Sequence, residues 1–415
     1  MMKRTFMIIS LTLVIVGICA VGFSIFHSSG SKKTDQADST EDVPEKTSGL
    51  KGKDNRKTKT ENNQAIESSL DNTEKPNTNK RIAELLKTMT LEEKVGQMMV
   101  VGFPSTEVDA NAKKMIEDYH VGGIILFDRN METPEQVTAL NADLQDLALQ
   151  STNKVPLIIS VDQEGGEIVR MRDQVTPIPS QQKLGAAGDK EEIYATAKHT
   201  GMELADMGFN VNFAPVLDLS ATDTRSFGED PKKTYQFGKQ VLEGFADSSI
   251  TGTLKHFPGN GRSTVDPHVD SSSVDAEKGD LENGDIYPFK KMIEEVDQSK
   301  YFTMVTHLIY PAYDKERPAS ISPVIIKDLL REQLGYEGIV VTDDLEMGAV
   351  SNLYSYEELG YRAVNAGANL LLVCHTLESQ EKVYNGILHA VENGKISENE
   401  IDDAVERILR FKLQD

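Results

Sequence analysis

Ile250-Thr251-Gly252-Thr253-Leu254, running into Lys255-His256-Phe257-Pro258-Gly259-Asn260-Gly261 and on to Asp266-Pro267-His268, is the stretch from which the fold can be read. Its first five residues are an apolar run that predicts a strand. The residues from Lys255 onward are too polar and too rich in glycine for a core, so they predict a loop at the strand's C-terminal end. Two glycines and two prolines stiffen that loop and hold Lys255, His256, Asp266 and His268 at set distances, as positioned chemistry requires. Pro267 biases Asp266 toward extended backbone, where side chains two apart lie on the same side. Asp266 and His268 therefore predict a carboxylate–imidazole pair, in which the carboxylate fixes the ring's tautomer and strengthens it as a base. An Asp-x-His by itself is more often a surface ion pair; its neighbours give it weight.

Working outward, other strand-like runs repeat the pattern. Val121-Phe127, Pro156-Val161, Val211-Leu219, Phe302-His307, Gly338-Thr342 and Ala368-Val373 are apolar and β-branched. Between them lie helical periodicities over Pro134-Gln150, Glu191-Met207, Pro231-Phe245, Pro323-Leu334, Tyr356-Ala366, Glu378-Glu392 and Glu398-Leu413. Alternating strands and helices, with the strands apolar throughout, predict a parallel sheet buried on both faces. About seven or eight such units suit a single TIM-like (β/α)8 barrel domain over residues 80–415. A doubly wound open sheet competes, but no glycine-rich dinucleotide fingerprint opens any of these helices.

The first 79 residues read differently. Lys3 and Arg4 precede a run from Thr5 to Phe26 without a charge. Its length is close to the roughly 20 residues that span a bilayer. Residues 1–27 are therefore expected to be a signal peptide or membrane anchor, leaving the bulk of the chain outside the cytoplasm. Lipidation at Cys19 fits poorly behind the bulky Ile18. Residues 28–79 are polar and almost free of aliphatic side chains, which predicts a disordered linker. The net charge is −22, and the excess acid falls after residue 79. A surface that acidic repels phosphate backbones, so no nucleic-acid partner is expected. With Cys19 and Cys374 the only cysteines, no disulfide framework is possible within the globular part.

Polar residues collect where strands end. Asp162-Gln163-Glu164-Gly165-Gly166, with Arg170 and Arg172 beyond, follows Ile158-Val161; Asp218 and then Arg225-Ser226-Phe227-Gly228 follow the next run. Lys255-His256, His307 and Asp343-Asp344 finish three more. In a parallel barrel such ends share one face, and charges crowded there are costly unless they serve function. Metal chemistry is disfavoured: His256 and His268 are twelve apart in a glycine-rich loop, and Asp162 with Asp343 is the one carboxylate arrangement left. No Gly-x-Ser-x-Gly supports a serine nucleophile. Three elements remain: Asp343 at a strand end, a carboxylate-tuned histidine on a loop, and polar groups around a pocket. Glycoside hydrolysis needs a nucleophile on one side of the sugar and an acid/base on the other, and histidine titrates in the right range for the second role.

From about residue 80 to the end the chain resembles the family 3 glycoside hydrolases of the β-N-acetylglucosaminidase branch. The resemblance is carried by Asp162-Gln163-Glu164-Gly165-Gly166, Arg225-Ser226-Phe227-Gly228, Lys255-His256-Phe257-Pro258-Gly259-x-Gly261 with Asp266-x-His268, and Thr342-Asp343-Asp344-Leu345-x-Met347. It implies a TIM-like barrel with Asp343 as nucleophile, His268 as acid/base and Asp266 as its partner. It also implies that Asp162, Arg170, Arg225, Lys255 and His256 bind the terminal sugar, with no cofactor and no metal. The implied activity is a retaining exo-β-N-acetylglucosaminidase acting on N-acetylglucosamine-containing glycans or muropeptides. Asn260 departs from the histidine that many members carry. The second domain of some Gram-positive relatives is not expected here, which leaves oligomeric state and leaving-group contacts open. A phosphorylase or another β-glycosidase of the same fold, and an inactive wall-binding module, are the alternatives. An absence of tryptophan and 6% aromatics suit a small polar pocket better than a long stacking cleft.

Overall fold

A computed structural model describes residues 77–263 and 271–414 of the chain. The hydrophobic segment 1–27, nearly all of the linker 28–79, and the pair Asp266 and His268 lie outside the described residues. Helix α1 covers residues 77–88, at the start of the described residues.

Among the described residues ten strands occur in chain order: β1 Met99–Val101, β2 Gly123–Leu126, β3 Ile158–Val161, β4 Val211–Asn212, β5 Thr251–Phe257, β6 Tyr301–Val305, β7 Ile309–Tyr310, β8 Asp314–Pro318, β9 Val340–Thr342 and β10 Leu371–Val373. Eight of them form one parallel sheet in the order β10-β1-β2-β3-β4-β5-β6-β9. A parallel bridge from Val341 to Leu370 joins the two ends, so the sheet closes on itself. That closure excludes the open doubly wound sheet. β7 and β8 form a separate antiparallel pair. Val100, Ile124, Ile159, Val211, Leu254, Val305, Val341 and Leu371 are all completely buried. Each such side chain contributes about 1.5–3 kcal/mol of apolar burial, which is why these runs show no polar alternation.

Local sequence explains where several of the helices start. Thr90 and Glu93 form a reciprocal capping box at α2 (Leu91–Gln97), and this helix feeds directly into β1. In α4 (Pro134–Leu149) and α7 (Pro231–Ala246) a proline occupies the first turn behind the N-caps Thr133 and Asp230. α11 (Tyr356–Ala366) begins at Ser355 and stops at Gly367, whose φ of 107° is left-handed.

Three expectations are revised. The strand β1 has no counterpart among the strand-like runs, because three apolar residues after a helix give no periodicity to detect. The run 211–219 is a regular strand only at Val211–Asn212, since Pro215 has no N–H to donate. The chain still tracks β5 through Thr253 N to Ala214 O at 2.8 Å and Leu217 N to Lys255 O at 2.6 Å. Finally, Val324–Gln333 winds as a π-helix where an ordinary helix was expected.

Candidate active site

Because the barrel strands are parallel, their C-terminal ends meet at one face, and a cavity of about 690 Å3 opens there. Asp162, Arg170, Arg225, Lys255, His256 and Asp343 all line it. Six of the eight residues picked from sequence thus share one wall, although they come from chain positions far apart. Asp266 and His268, the other two, fall outside the described residues. Among the described residues no group of three or more His, Cys, Asp and Glu side chains is arranged to hold a metal ion.

The charged floor is built on Lys255, which lies within β5 with a side chain only 3% exposed. Its ammonium donates to Asp162 Oδ1 at 2.7 Å and lies 2.6 Å from Glu164 Oε1. Arg225 grips the same Glu164 in a two-pronged pair, Nε to Oε2 at 2.7 Å and Nη2 to Oε1 at 2.8 Å. Burial works against the charge on Glu164, but Lys255 and Arg225 outweigh it and hold the carboxyl far below its usual range. Burial opposes the charge on Lys255 as well; Asp162 and Glu164 overcome it and raise its pKa. The result is a desolvated cluster whose members stay ionised because each satisfies another.

Asp343 follows β9 directly. One carboxylate oxygen accepts the Asp344 N–H at 2.9 Å, and its own N–H donates to Val305 O at 3.0 Å. Burial pushes its pKa up, but His256, the Asp344 amide and Lys255 together bring it below the ordinary value. Asp343 is therefore an anion at neutral pH, tethered through one oxygen.

His307 sits just behind this turn, fully buried. Its Nε2 lies 2.8 Å from Asp344 O and its Nδ1 2.7 Å from Ser320 Oγ. A carbonyl only accepts, so Nε2 carries the proton, and burial lowers the ring's pKa and keeps it neutral. Asp344 is tied again on its far side, where Oδ2 lies 3.1 Å from His375 Nε2. That pairing, against burial, raises the pKa of His375. Phe127, whose ring carries Arg129 on one contact and His375 on another, completes the wall. Arg170 reaches the rim and pairs with the exposed Asp128 at 2.8 Å.

Sequence reading passes over four residues that shape this cavity or its walls. Glu164, Asp218 and His307 stand in the strand-end clusters without an assigned part; their burial, which gives them influence, is a tertiary property. His375 follows a three-residue strand and directly precedes the Thr376 cap of α12 (Leu377–Glu392), so in the sequence it looks like the approach to a helix. Asn260 gives its backbone N–H to Asp218 at 2.7 Å.

Fold and site together define a (β/α)8 barrel with an ion-paired, carboxylate-bearing pocket at its C-terminal face, the build of a barrel enzyme. Residues 90–411 match the Glycosyl hydrolase family 3 N terminal domain. The beta-hexosaminidase of Haemophilus influenzae is 31% identical over 310 residues, covering 73% of this chain and 84% of that protein. Beta-hexosaminidase A of Pseudoalteromonas piscicida is 31% identical over 336 residues, covering 74% of this chain and 56% of that protein. The structure of a glycoside hydrolase family 3 beta-N-acetylglucosaminidase from Paenibacillus sp. str. FPU-7 superposes with a TM-score of 0.76 at 41% identity, covering 78% of this chain and 62% of that one. The chain belongs to glycosyl hydrolase family 3. It spans little more than half the length of the P. piscicida relative and under two thirds of the Paenibacillus chain.

Proposed function

We propose that this protein is a retaining exo-β-N-acetylglucosaminidase that removes terminal, non-reducing, β-linked N-acetylglucosamine. The observation that supports it most directly is the state of Asp343: a carboxylate kept charged at a strand end, in a cavity lined by Lys255, Arg225 and His256. In this reading the free carboxylate oxygen of Asp343 attacks the anomeric carbon, forming a glycosyl ester as the bond to the leaving oxygen breaks. His268, held by Asp266, gives its proton to that oxygen. It then takes a proton from water as the water cleaves the ester, which restores the carboxylate and the acid. Asp162, Arg170, Arg225, Lys255 and His256 grip the terminal sugar.

The substrates proposed are muropeptides and other peptidoglycan fragments, met outside the cytoplasm. The uncharged run behind Lys3 and Arg4 supports that location, with residues 1–27 as signal or anchor and 28–79 as tether. Among the described residues no helix is long and apolar enough to cross a membrane. Cell fractionation with an antibody to the barrel tests the location; recovery in the cytoplasm alone rejects it.

Turnover of a chromogenic N-acetylglucosaminide separates an enzyme from an inactive wall-binding protein. Asp343→Asn should cut kcat by roughly three orders of magnitude or more while sugar binding survives. An intact rate in Asp343→Asn, with loss in Asp344→Asn, would move the nucleophile. His268→Ala should steepen the dependence of kcat/KM on leaving-group pKa, because a poor leaving group needs the acid most. Parallel plots for wild type and variant would leave His268 a binding role only. A phosphorylase of the same fold is separated by adding phosphate and looking for the sugar 1-phosphate.

A further inference from the structure

Asp218 follows the short parallel bridge of Val216 to Lys255, and its side chain is only 5% exposed. Its carboxylate has three partners. Oδ2 lies 2.7 Å from His256 Nδ1, and Oδ1 accepts the backbone N–H groups of His256 at 3.2 Å and Asn260 at 2.7 Å. Backbone amides only donate, so this group serves as an acceptor. Burial pushes its pKa up, but His256 and then the two amides bring it down, and the carboxylate stays ionised. An ionised carboxylate against Nδ1 requires the ring proton there. His256 lines the cavity together with Asp343, Lys255 and Arg225. Its other nitrogen, Nε2, has no hydrogen-bond partner among the described residues.

We propose that Asp218 is a positioning residue: it holds the Nδ1 proton and the plane of His256, so that Nε2 is the atom offered to a hydroxyl of the bound sugar. The proposal rests on reading the cavity as a sugar site. It gives the wall an imidazole contact of fixed tautomer beside Lys255 and Arg225, which can only donate. It also explains why a carboxylate–imidazole pair is buried in the wall of the cavity that Asp343 lines. Turning a ring freely costs orientation at the site, and a hydrogen bond to the far nitrogen removes that freedom.

The test pairs ring spectroscopy with binding. Asp218→Asn keeps an oxygen for the two backbone amides but can present an amide N–H to Nδ1, which must then accept. In the full chain with nitrogen-labelled histidine, wild type should show a deshielded Nδ1 proton that disappears in His256→Gln. In Asp218→Asn the proton should move to Nε2. Calorimetry with N-acetylglucosamine should show about a tenfold weaker affinity for Asp218→Asn, and no further loss when it is added to His256→Gln. A wild-type ring protonated on Nε2 alone overturns the proposal, even if the variant fails to fold. So does an affinity loss that adds to that of His256→Gln, because Asp218 would then act through the Asn260 loop. If wild type binds no N-acetylglucosamine, the sugar-site reading fails, while the tautomer still decides what Asp218 does.

Discussion

Lys255 is the residue on which the charged floor depends. Its ammonium is the shared counter-ion of Asp162 and Glu164, and Glu164 in turn holds Arg225. Removing one partner of a buried pair leaves charge without compensation, at a cost of about 3–5 kcal/mol. Lys255→Met should therefore lower stability by that order in urea denaturation and raise KM more than it lowers kcat. An unchanged unfolding midpoint would mean that water solvates Asp162 and Glu164 as well as the lysine does. The acid limb of the rate profile belongs to Asp343. Its pKa is lowered, so activity should persist as pH falls toward about 4, where an ordinary aspartate is half protonated, and fail only below it. A kcat/KM profile for a small aryl substrate checks this, and a limb well above that value would contradict it.

At the scale of elements, the two ends of each strand do different work. The C-terminal ends carry Asp162, His256, His307 and Asp343, whereas the N-terminal ends receive helices that only hold the barrel together. α2 enters β1 from that lower side, and its Thr90–Glu93 box satisfies two otherwise orphaned backbone donors. Thr90→Ala should cost about 1 kcal/mol of stability and leave kcat and KM as they are. A kinetic defect in Thr90→Ala would show that the lower face communicates with the site. Side chains also repair the ladder where the backbone departs from it. Asn369 Oδ1 accepts Val340 N–H at 2.9 Å, beside the bridge that closes the barrel.

The molecule as a whole is strongly acidic, yet it holds a half-buried lysine without a carboxylate partner among the described residues. Lys412, at the end of α13 (Glu398–Lys412), donates to Gln97 Oε1 at 2.8 Å, and burial pulls its pKa from 10.5 down to about 7. The unfolded chain keeps this proton up to the ordinary lysine value, while the folded chain releases it above about 7. Between those limits the unfolded state binds more protons, so this group makes stability rise with pH and takes that stability away as pH falls toward 7. Lys412→Met should remove that slope and raise the unfolding midpoint at neutral pH. Identical pH slopes for wild type and Lys412→Met would show that the ammonium remains solvated in the folded protein.

Much of this is legible in the linear chain. The continuous apolar strands, the helices between them and the polar residues at strand ends are local signals, set by burial on two faces and by the caps and breakers that bound each element. They are enough to bring Asp162, Arg170, Arg225, Lys255, His256 and Asp343 to one cavity. Other features have no local signal. β1 is too short for periodicity, and ring closure through Val341 and Leu370 depends on residues that no spacing relates. Charge states belong to the same class. Whether Asp218 orders His256, or His307 stays neutral, depends on which groups burial removes from water and which partners remain within 3 Å. Sequence determines what each segment is; only the closed barrel decides which charges must answer one another.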